Sequence, residues 1–263
     1  MKLVQSILTK NPCYTAGRKI TVKGLMLHSV GCNQPNAQAF IKNWNSASYN
    51  RACVHGFIDG NDGTVYQTLP WNHRGWHAGG SANNTHIGVE MCEPAYIKYT
   101  GGSSFTCSDT AAAKAVARRT YEAAVELFAM LCKEYGLNPL TDICSHEEGH
   151  AKGIASNHGD PEHLWKGLGM SYTMDTFRQA VKAKMPGTTG TSKSDDLPFL
   201  VRVSISNLNI RKGAGTNYAT TGRYTGKGVF TITEVKAGKG SAAGWGRLKS
   251  GAGWISLDYT KRI

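Results

Sequence analysis

Four histidines and four acidic residues lie in the stretch CSHEEGHAKGIASNHGDPEHLW, which runs from Cys144 to Trp165. The stretch contains HEEGH (146–150), a formal match to the H-E-x-x-H pattern of zinc proteases. In that interpretation His146 and His150 bind zinc from one face of a helix, and Glu147 is the general base. A zinc centre of another kind and a solvated polar loop are the two alternatives.

The residues around HEEGH argue against a zinc-protease helix. Gly149 lies inside the segment, and a glycine there costs about 1 kcal/mol relative to alanine. The segment that follows is rich in glycine and loop-forming residues and has no apolar period. We therefore expect no zinc-protease helix at HEEGH, and another zinc site or a solvated loop remains for this segment.

Other candidate residues lie on predicted strands. GLMLHSV (24–30) is a short apolar run that contains a histidine, which is typical of a buried strand. VHGFID (54–59) and TVYQTL (64–69) flank GNDG, a hairpin signal, and HIGVEM (86–91) reads as another strand. A long amphipathic helix is predicted over 109–135, capped by Ser108 or Asp109 and ended by Gly136, and a second over 174–185. These elements predict an α/β fold in which a mixed sheet is flanked by helices.

Five ordered motifs in residues 20–180 resemble the zinc-dependent N-acetylmuramoyl-L-alanine amidases of the amidase type 2 family. The motifs are LMLHSV, DGTVYQTLP with RGWHAGGSANN, HIGVEM, CSH and HGDP. Peptidoglycan recognition proteins share the fold of this family. The resemblance implies that HEEGH is an accidental match, with His146 a ligand and His150 not.

The resemblance also implies a role for individual residues. The Zn²⁺ ligands would be His28, His146 and Asp160, and Glu90 would be the catalytic base. His77 and Asn83 lie in the motif that contacts substrate in the family, and His55 is a further candidate for the cleft. The reaction implied is hydrolysis of the amide between the lactyl group of N-acetylmuramic acid and L-alanine of the peptidoglycan stem peptide. An alternative role for Glu90 is to orient a ligand imidazole.

One position departs from the family pattern. The family commonly has lysine two residues before the third ligand, where it helps to stabilise the oxyanion, and this chain has His158. A histidine N–H can do similar work, but imidazole titrates near neutral pH, so activity would depend more on pH than with lysine. Alternatively, His158 replaces Asp160 as a ligand, since imidazole binds zinc well.

The C-terminal part of the chain differs in composition. Residues 187–196, GTTGTSKSDD, have linker composition and separate a predicted catalytic domain (1–186) from a tail (197–263). The tail reads as short strands with glycine-rich turns, which predicts a small all-β barrel. LNIRKGAGTNYATTG and GWGRLKSGAGWISLDY resemble a bacterial SH3-like domain that targets the cell wall.

Charge and aromatic residues suggest what the tail binds. It carries 11 Lys and Arg against 2 Asp and Glu, which suits anionic wall polymers or acidic peptidoglycan. Nucleic acid is a weaker candidate, because the tail has no arginine-rich helix or recognisable nucleic-acid motif. A peptide groove could be lined by some of its aromatic residues, namely Tyr218, Tyr224, Trp245, Trp254 and Tyr259.

Composition limits the class of protein to which this chain can belong. The chain has 263 residues, of which 40% are hydrophobic and 18% charged, as in folded proteins. It has no apolar run that could span a membrane and no recognisable signal peptide. The seven cysteines include no C-x-x-C pair and indicate synthesis in a reducing compartment.

We therefore expect a phage endolysin released by holin-type permeabilisation, or else a bacterial autolysin. A zinc metallopeptidase using HEEGH and a non-catalytic peptidoglycan-binding protein are the rival functions.

Overall fold

The computed structural model describes residues 1–185 and 197–263, which belong to two compact units. The first unit is Met1–Met185, and the second contains all described residues from 197 onwards. The predicted linker, 187–196, lies outside the described residues.

A six-stranded mixed sheet forms the centre of the first unit. Its order is β1-β4-β3-β5-β2-β8, and β6 and β7 form a separate hairpin. The strand bounds are β1 Leu3–Gln5, β2 Gly24–Ser29, β3 Gly56–Ile58, β4 Val65–Gln67, β5 His86–Met91, β6 Ile97–Gly101, β7 Ser104–Cys107 and β8 Ile143–Ser145. The pairs β3–β5, β5–β2 and β2–β8 are parallel, so these four strands end at the same edge of the sheet.

Helices flank this sheet. They are α1 Pro12–Thr15, α2 Ala37–Trp44, α3 Thr110–Tyr135, α4 His146–Ala151, α5 Glu162–Gly167 and α6 Met174–Lys184, and a short 3₁₀ helix spans Ser81–Asn84. The predicted α/β fold with a mixed sheet and flanking helices is therefore confirmed.

The long helix α3 begins and ends as its sequence predicts. Asp109 accepts a hydrogen bond from Ala112 N at 2.9 Å and caps the start. Gly136 ends the helix with φ 67°, a left-handed conformation that glycine adopts without a Cβ penalty. Leu127, Phe128 and Leu131 on its buried face pack into the core over β2 and β5. No described helix combines the length and apolar character that a membrane crossing requires.

The HEEGH segment forms a short helix, α4, although its local sequence argues against one. Ser145 accepts from Glu148 N at 3.0 Å while Glu148 Oε2 accepts from Ser145 N at 3.2 Å, a reciprocal cap that stabilises a short helix. Gly149 is buried, and a Cβ built there would lie 2.7 Å from Met26 Cε. Glycine at this position lets α4 pack closely on Met26 of β2, which offsets its low helix propensity.

The second unit is an antiparallel all-β structure, as predicted. Its strand order is β11-β10-β14-β13-β12-β9-β15. The bounds are β9 Phe199–Val203, β10 Asn209–Arg211, β11 Thr220–Tyr224, β12 Gly228–Gly238, β13 Ser241–Leu248, β14 Trp254–Ser256 and β15 Thr260–Arg262. Alternate residues of β9 point into the core, where Val201 and Val203 meet Ile232 and Ile255. Its identity as an SH3-like domain remains a prediction.

Candidate metal centre

Three predicted ligands meet at the edge where the parallel strands end. His28 lies near the end of β2, and Glu90 lies beside it in β5. Ser145, the last residue of β8, pairs with Leu27, so His146 at the start of α4 comes beside His28. Asp160 reaches the same place from the segment before α5. Sheet topology thus brings together residues separated by more than 100 positions in the chain.

The spacing of the three side chains fits one small cation. His28 Nδ1 lies 3.1 Å from His146 Nδ1 and 3.2 Å from Asp160 Oδ2, and His146 Nδ1 lies 3.5 Å from Asp160 Oδ1. Tetrahedral zinc with ligands at 2.0–2.1 Å requires about 3.3 Å between ligand atoms. Two imidazoles and a carboxylate are a common donor set for zinc, so the residues present fit this metal.

Charge states also favour a cation. Burial, together with the charge of His28, lowers the pKa of His146 to about 4, so this ring is neutral at pH 7. Burial opposes ionisation of Asp160, but its hydrogen bond to His28 holds the pKa of Asp160 below the ordinary value. Burial also disfavours a charged His28, yet the hydrogen bond to Asp160 and the charge of Glu90 raise the pKa of His28. A cation would therefore compete with a proton on His28.

Glu90 faces the same cavity as the three ligands. Its Oε2 atom is buried and has no hydrogen-bond partner among the described residues. Burial raises the pKa of Glu90 to about 8, although the charge of His28 acts in the opposite direction. A carboxyl group that faces a cavity, keeps one buried oxygen unpaired and titrates near neutral pH has the properties of a general base.

The cavity has a volume of about 670 Å³. The predicted ligands lie in it together with Glu90, His77 and His158. Trp44, Arg51 and Trp76 provide further lining. Aromatic and cationic side chains around a polar centre are typical of a site for a polar ligand.

His158 lies on the exposed side of this centre. Its ring centroid is 4.5 Å from that of His146, and its Nδ1 lies 3.0 Å from Ser156 Oγ. Among the described residues, the group able to hold a metal contains Asp160 and not His158. The geometry therefore favours Asp160 as the third ligand and leaves His158 for another role.

His77 and Asn83 make hydrogen bonds within the protein, and substrate contact by either stays a prediction. His77 lines the cavity, but its Nδ1 lies 3.0 Å from His28 Nε2 and its Nε2 lies 3.1 Å from His86 O. Asn83 is buried outside the cavity lining, and its Oδ1 accepts from His77 N and Ala78 N at 2.8 and 2.9 Å. Both ring nitrogens of His77 and the Oδ1 atom of Asn83 therefore have partners within the protein.

His55 was expected in the cleft, and this expectation is wrong. Its side chain is fully buried and does not line the cavity. Gly88 N donates to its Nδ1 at 3.0 Å, and its Nε2 donates to His73 O at 2.8 Å. His55 is thus a core histidine whose two ring nitrogens are satisfied by backbone.

His55 predicts acid sensitivity of the fold. Burial lowers its pKa from 6.5 to about 4, so the unfolded chain takes up this proton more readily. The resulting stability is complete above pH 6.5 and is lost as pH falls towards 4, on the order of 3 kcal/mol. We expect His55→Gln, which keeps a donor and an acceptor, to reduce this loss. Urea unfolding at pH 7.5 and 5, with chelator present, measures it; equal losses in the two proteins would contradict the prediction.

The second histidine of HEEGH lies away from the metal-competent group. His150 is exposed, and its Nδ1 lies 3.4 Å from Ala155 O. The metal-competent group found among the described residues does not include it. The zinc-protease interpretation, which needs His150 as a ligand, finds no support in this geometry.

A buried polar cluster beside the cavity was not expected from the sequence. Glu93, which is fully buried, accepts from Gly31 N at 3.1 Å and from the Tyr99 hydroxyl at 2.6 Å. The Tyr99 hydroxyl lies 2.7 Å from His163 Nε2. The cluster joins the segment after β2 to the β6–β7 hairpin and to α5. The one signal in the sequence is the acidic Glu93 two residues after the apolar strand HIGVEM.

Comparison with known proteins identifies the family. Residues 17–163 match the family of N-acetylmuramoyl-L-alanine amidases (amidase type 2). The match covers more than half of the chain, and the protein belongs to this family.

Individual relatives are more distant. The chain is 37% identical over 79 residues to the N-acetylmuramoyl-L-alanine amidase XlyA of Bacillus subtilis (strain 168), which covers 29% of this chain and 25% of XlyA. It is 35% identical over 80 residues to CwlH, another N-acetylmuramoyl-L-alanine amidase of Bacillus subtilis (strain 168). That match covers 29% of this chain and 30% of CwlH. These matches thus span less than a third of either relative.

A solved structure supports the fold. The Staphylococcus aureus hydrolase AmiA, solved in complex with its ligand, superposes with a TM-score of 0.53 and 20% identity, over 72% of this chain and 86% of AmiA. At this identity the likeness establishes the fold alone.

Proposed function

We propose that this protein is a zinc-dependent N-acetylmuramoyl-L-alanine amidase. Its substrate would be the peptidoglycan amide that joins the lactyl group of N-acetylmuramic acid to L-alanine of the stem peptide. The observation that carries the proposal is the meeting of His28, His146 and Asp160 beside Glu90 in a member of this family.

The three ligands would hold zinc, and Glu90 would move the proton. When bound, zinc supplies a Lewis acid that polarises a carbonyl and lowers the pKa of a coordinated water to about 7. Glu90 accepts a proton from the attacking water and returns it to the nitrogen of alanine as the C–N bond breaks. The products are a lactyl carboxylate and a free alanine amine. Because burial raises the pKa of Glu90, a nearby cation is needed to keep this carboxyl ionised at neutral pH.

His158 is the proposed donor to the oxyanion. It lines the cavity close to His146, and Ser156 Oγ lies 3.0 Å from its Nδ1. If Ser156 donates to Nδ1, the neutral ring carries its proton on Nε2 and can donate that proton to substrate. A donor aimed at developing negative charge stabilises the transition state.

The second unit is proposed to be an SH3-like module that binds the cell wall. Three of its five candidate aromatic residues, Tyr218, Tyr224 and Tyr259, are exposed, whereas Trp245 and Trp254 are buried in the unit. The exposed tyrosines and the excess of basic residues suit a polymer with peptide and anionic groups. Attachment to the wall would raise the local concentration of the catalytic unit at its insoluble substrate.

An endolysin-like role is proposed for the whole chain. Such an enzyme digests the wall from within after another protein permeabilises the membrane, and a bacterial autolysin is the alternative source. The same chemistry would serve both.

Mass spectrometry of purified bacterial peptidoglycan digested with this protein tests the function. The expected products are glycan strands with bare lactyl groups and stem peptides with a free N-terminal alanine. Cuts between two amino acids would instead indicate a peptidase. Binding to the wall with no cleavage would make the protein a non-catalytic binder.

A further inference from the structure

We propose that the loop of residues 76–79 fixes the tautomer and orientation of both ligand histidines, through His77 on one side and Ser156 on the other. The inference rests on the proposed function, since it concerns the same metal centre. It makes His77, Asn83 and Ser156 positioning residues, which act through the ligands and do not touch substrate.

The first branch runs through His77. The carbonyl oxygen of His86 can only accept, so His77 Nε2, which lies 3.1 Å away, carries a proton. His77 is buried among other imidazoles and backbone with no acidic partner among its hydrogen bonds, so a charged ring would be uncompensated. The neutral ring therefore accepts at Nδ1, and His28 Nε2 donates to it across 3.0 Å. When His28 is neutral, with its one ring proton on Nε2, the lone pair of its Nδ1 faces His146 and Asp160.

The second branch runs through Ser156. Its hydroxyl lies 3.2 Å from Ala78 O and 3.2 Å from His146 Nε2. The hydroxyl has a single proton, which Ala78 O or His158 can take, so Ser156 Oγ can accept from His146 Nε2. His146 then also presents the lone pair of Nδ1 to the metal.

Both branches begin at adjacent residues of one loop, and Asn83 fixes that loop. Asn83 Oδ1 accepts from the backbone N–H groups of His77 and Ala78. Ala78 O accepts from Ser156 N at 2.8 Å, which holds Ser156 beside the loop whichever acceptor takes its hydroxyl proton. Residues of one loop thus lie behind the support of two ligands that are 118 residues apart.

Glycines make the close approaches possible. A Cβ at Gly88 in β5 would lie 2.4 Å from His77 Cγ, so the His77 ring occupies the space that a side chain at position 88 would need. Gly79 has φ 63°, and a Cβ there would lie 2.6 Å from Ser156 Oγ. The arrangement thus depends on glycine at two positions where the backbone contacts the supporting side chains.

Zinc affinity of matched variants, measured by competition with a chelator, tests the inference. His77→Phe keeps a ring of similar size but removes both nitrogens, and Ser156→Ala removes the hydroxyl. Each is expected to lower zinc affinity by about 10- to 100-fold, the usual effect of losing a partner of a ligand imidazole. His77→Gln can accept from His28 and donate to His86 O, and it should recover most of the loss. His73→Gln is the control, because His73 is buried nearby but its ring contacts Tyr14 and no ligand. Unchanged affinity in a folded His77→Phe protein would overturn the proposal.

Nitrogen-15 NMR of the histidine rings in the wild-type protein keeps the test independent of variant folding. The proposal requires protons on Nε2 of His28, His77 and His146, and zinc at Nδ1 of both ligands. A ligand with its proton on Nδ1 would contradict it. In metal-free protein at pH 8, the same spectra would show the proton on His77 Nε2 and the hydrogen bond from His28 Nε2 to His77 Nδ1. Failure of the wild type to bind zinc would therefore count against the proposed function and still leave this inference tested.

Discussion

Substituting alanine for His28 is expected to remove zinc binding and lytic activity together. His28 contributes one of three ligand atoms and is almost completely buried between β5 and β8. Without it, His146 and Asp160 hold a cation by two side chains only. We expect activity on purified cell walls to fall by about 10⁴-fold or more, because the site loses the group that polarises the reacting bond. Metal content by elemental analysis and lysis rates measure the two effects.

His150→Ala is the matched control for His28→Ala. Both changes remove an imidazole, but His150 is exposed and lies outside the metal-competent group. The control should retain zinc and activity. Full lytic activity in His28→Ala would refute the amidase mechanism, and loss of zinc in His150→Ala would restore the protease interpretation of HEEGH.

Glu90→Gln is expected to reduce kcat by about 10² to 10⁴-fold, the usual contribution of a general base. Glutamine has nearly the same shape but cannot take a proton from water. Zinc affinity should change little, because Glu90 is not one of the three ligands. Thermal stability of the metal-free protein should not fall, since the buried Oε2 atom has no partner to lose in the part of the chain that the structure describes.

Glu147→Gln distinguishes the proposed role of Glu90 as the base from the zinc-protease interpretation. Glu147 is the base in the zinc-protease interpretation, and it is exposed on α4. Its substitution should leave kcat unchanged. If Glu90→Gln kept kcat but lost zinc affinity, Glu90 would be a residue that orients the ligands, as the alternative role holds.

Sequence patterns predicted the strands and the helix around the candidate metal centre. A buried apolar strand with a histidine near its end, a second strand with a glutamate and a capped long helix are local features, and each is present. The family motifs also predicted which residues meet, although no local rule specifies that residues 28, 146 and 160 are neighbours. That information lies in the order of parallel strands.

The errors have a common physical cause, which is tertiary contact. Gly149 lowers helix propensity, but its missing Cβ allows α4 to pack on Met26. His55 and His77 are both near the hairpin in sequence, and only the backbone groups around each ring decide which one contacts a ligand. Ser156 lies in a loop without any period, so nothing in its own neighbourhood predicted a bond to His146.

The long sequence separation of the ligands has a consequence for how the first unit opens. A metal bound by residues 28, 146 and 160 is a reversible cross-link that ties the edge strand β8, only three residues long, and the short helices α4 and α5 to the central strand β2. Opening of that edge and release of the metal then become one event. At a free metal concentration 1,000 times the dissociation constant, such a cross-link adds about 4 kcal/mol to the cost of opening. A metal bound for hydrolysis would thus also hold the edge strand β8 against the sheet.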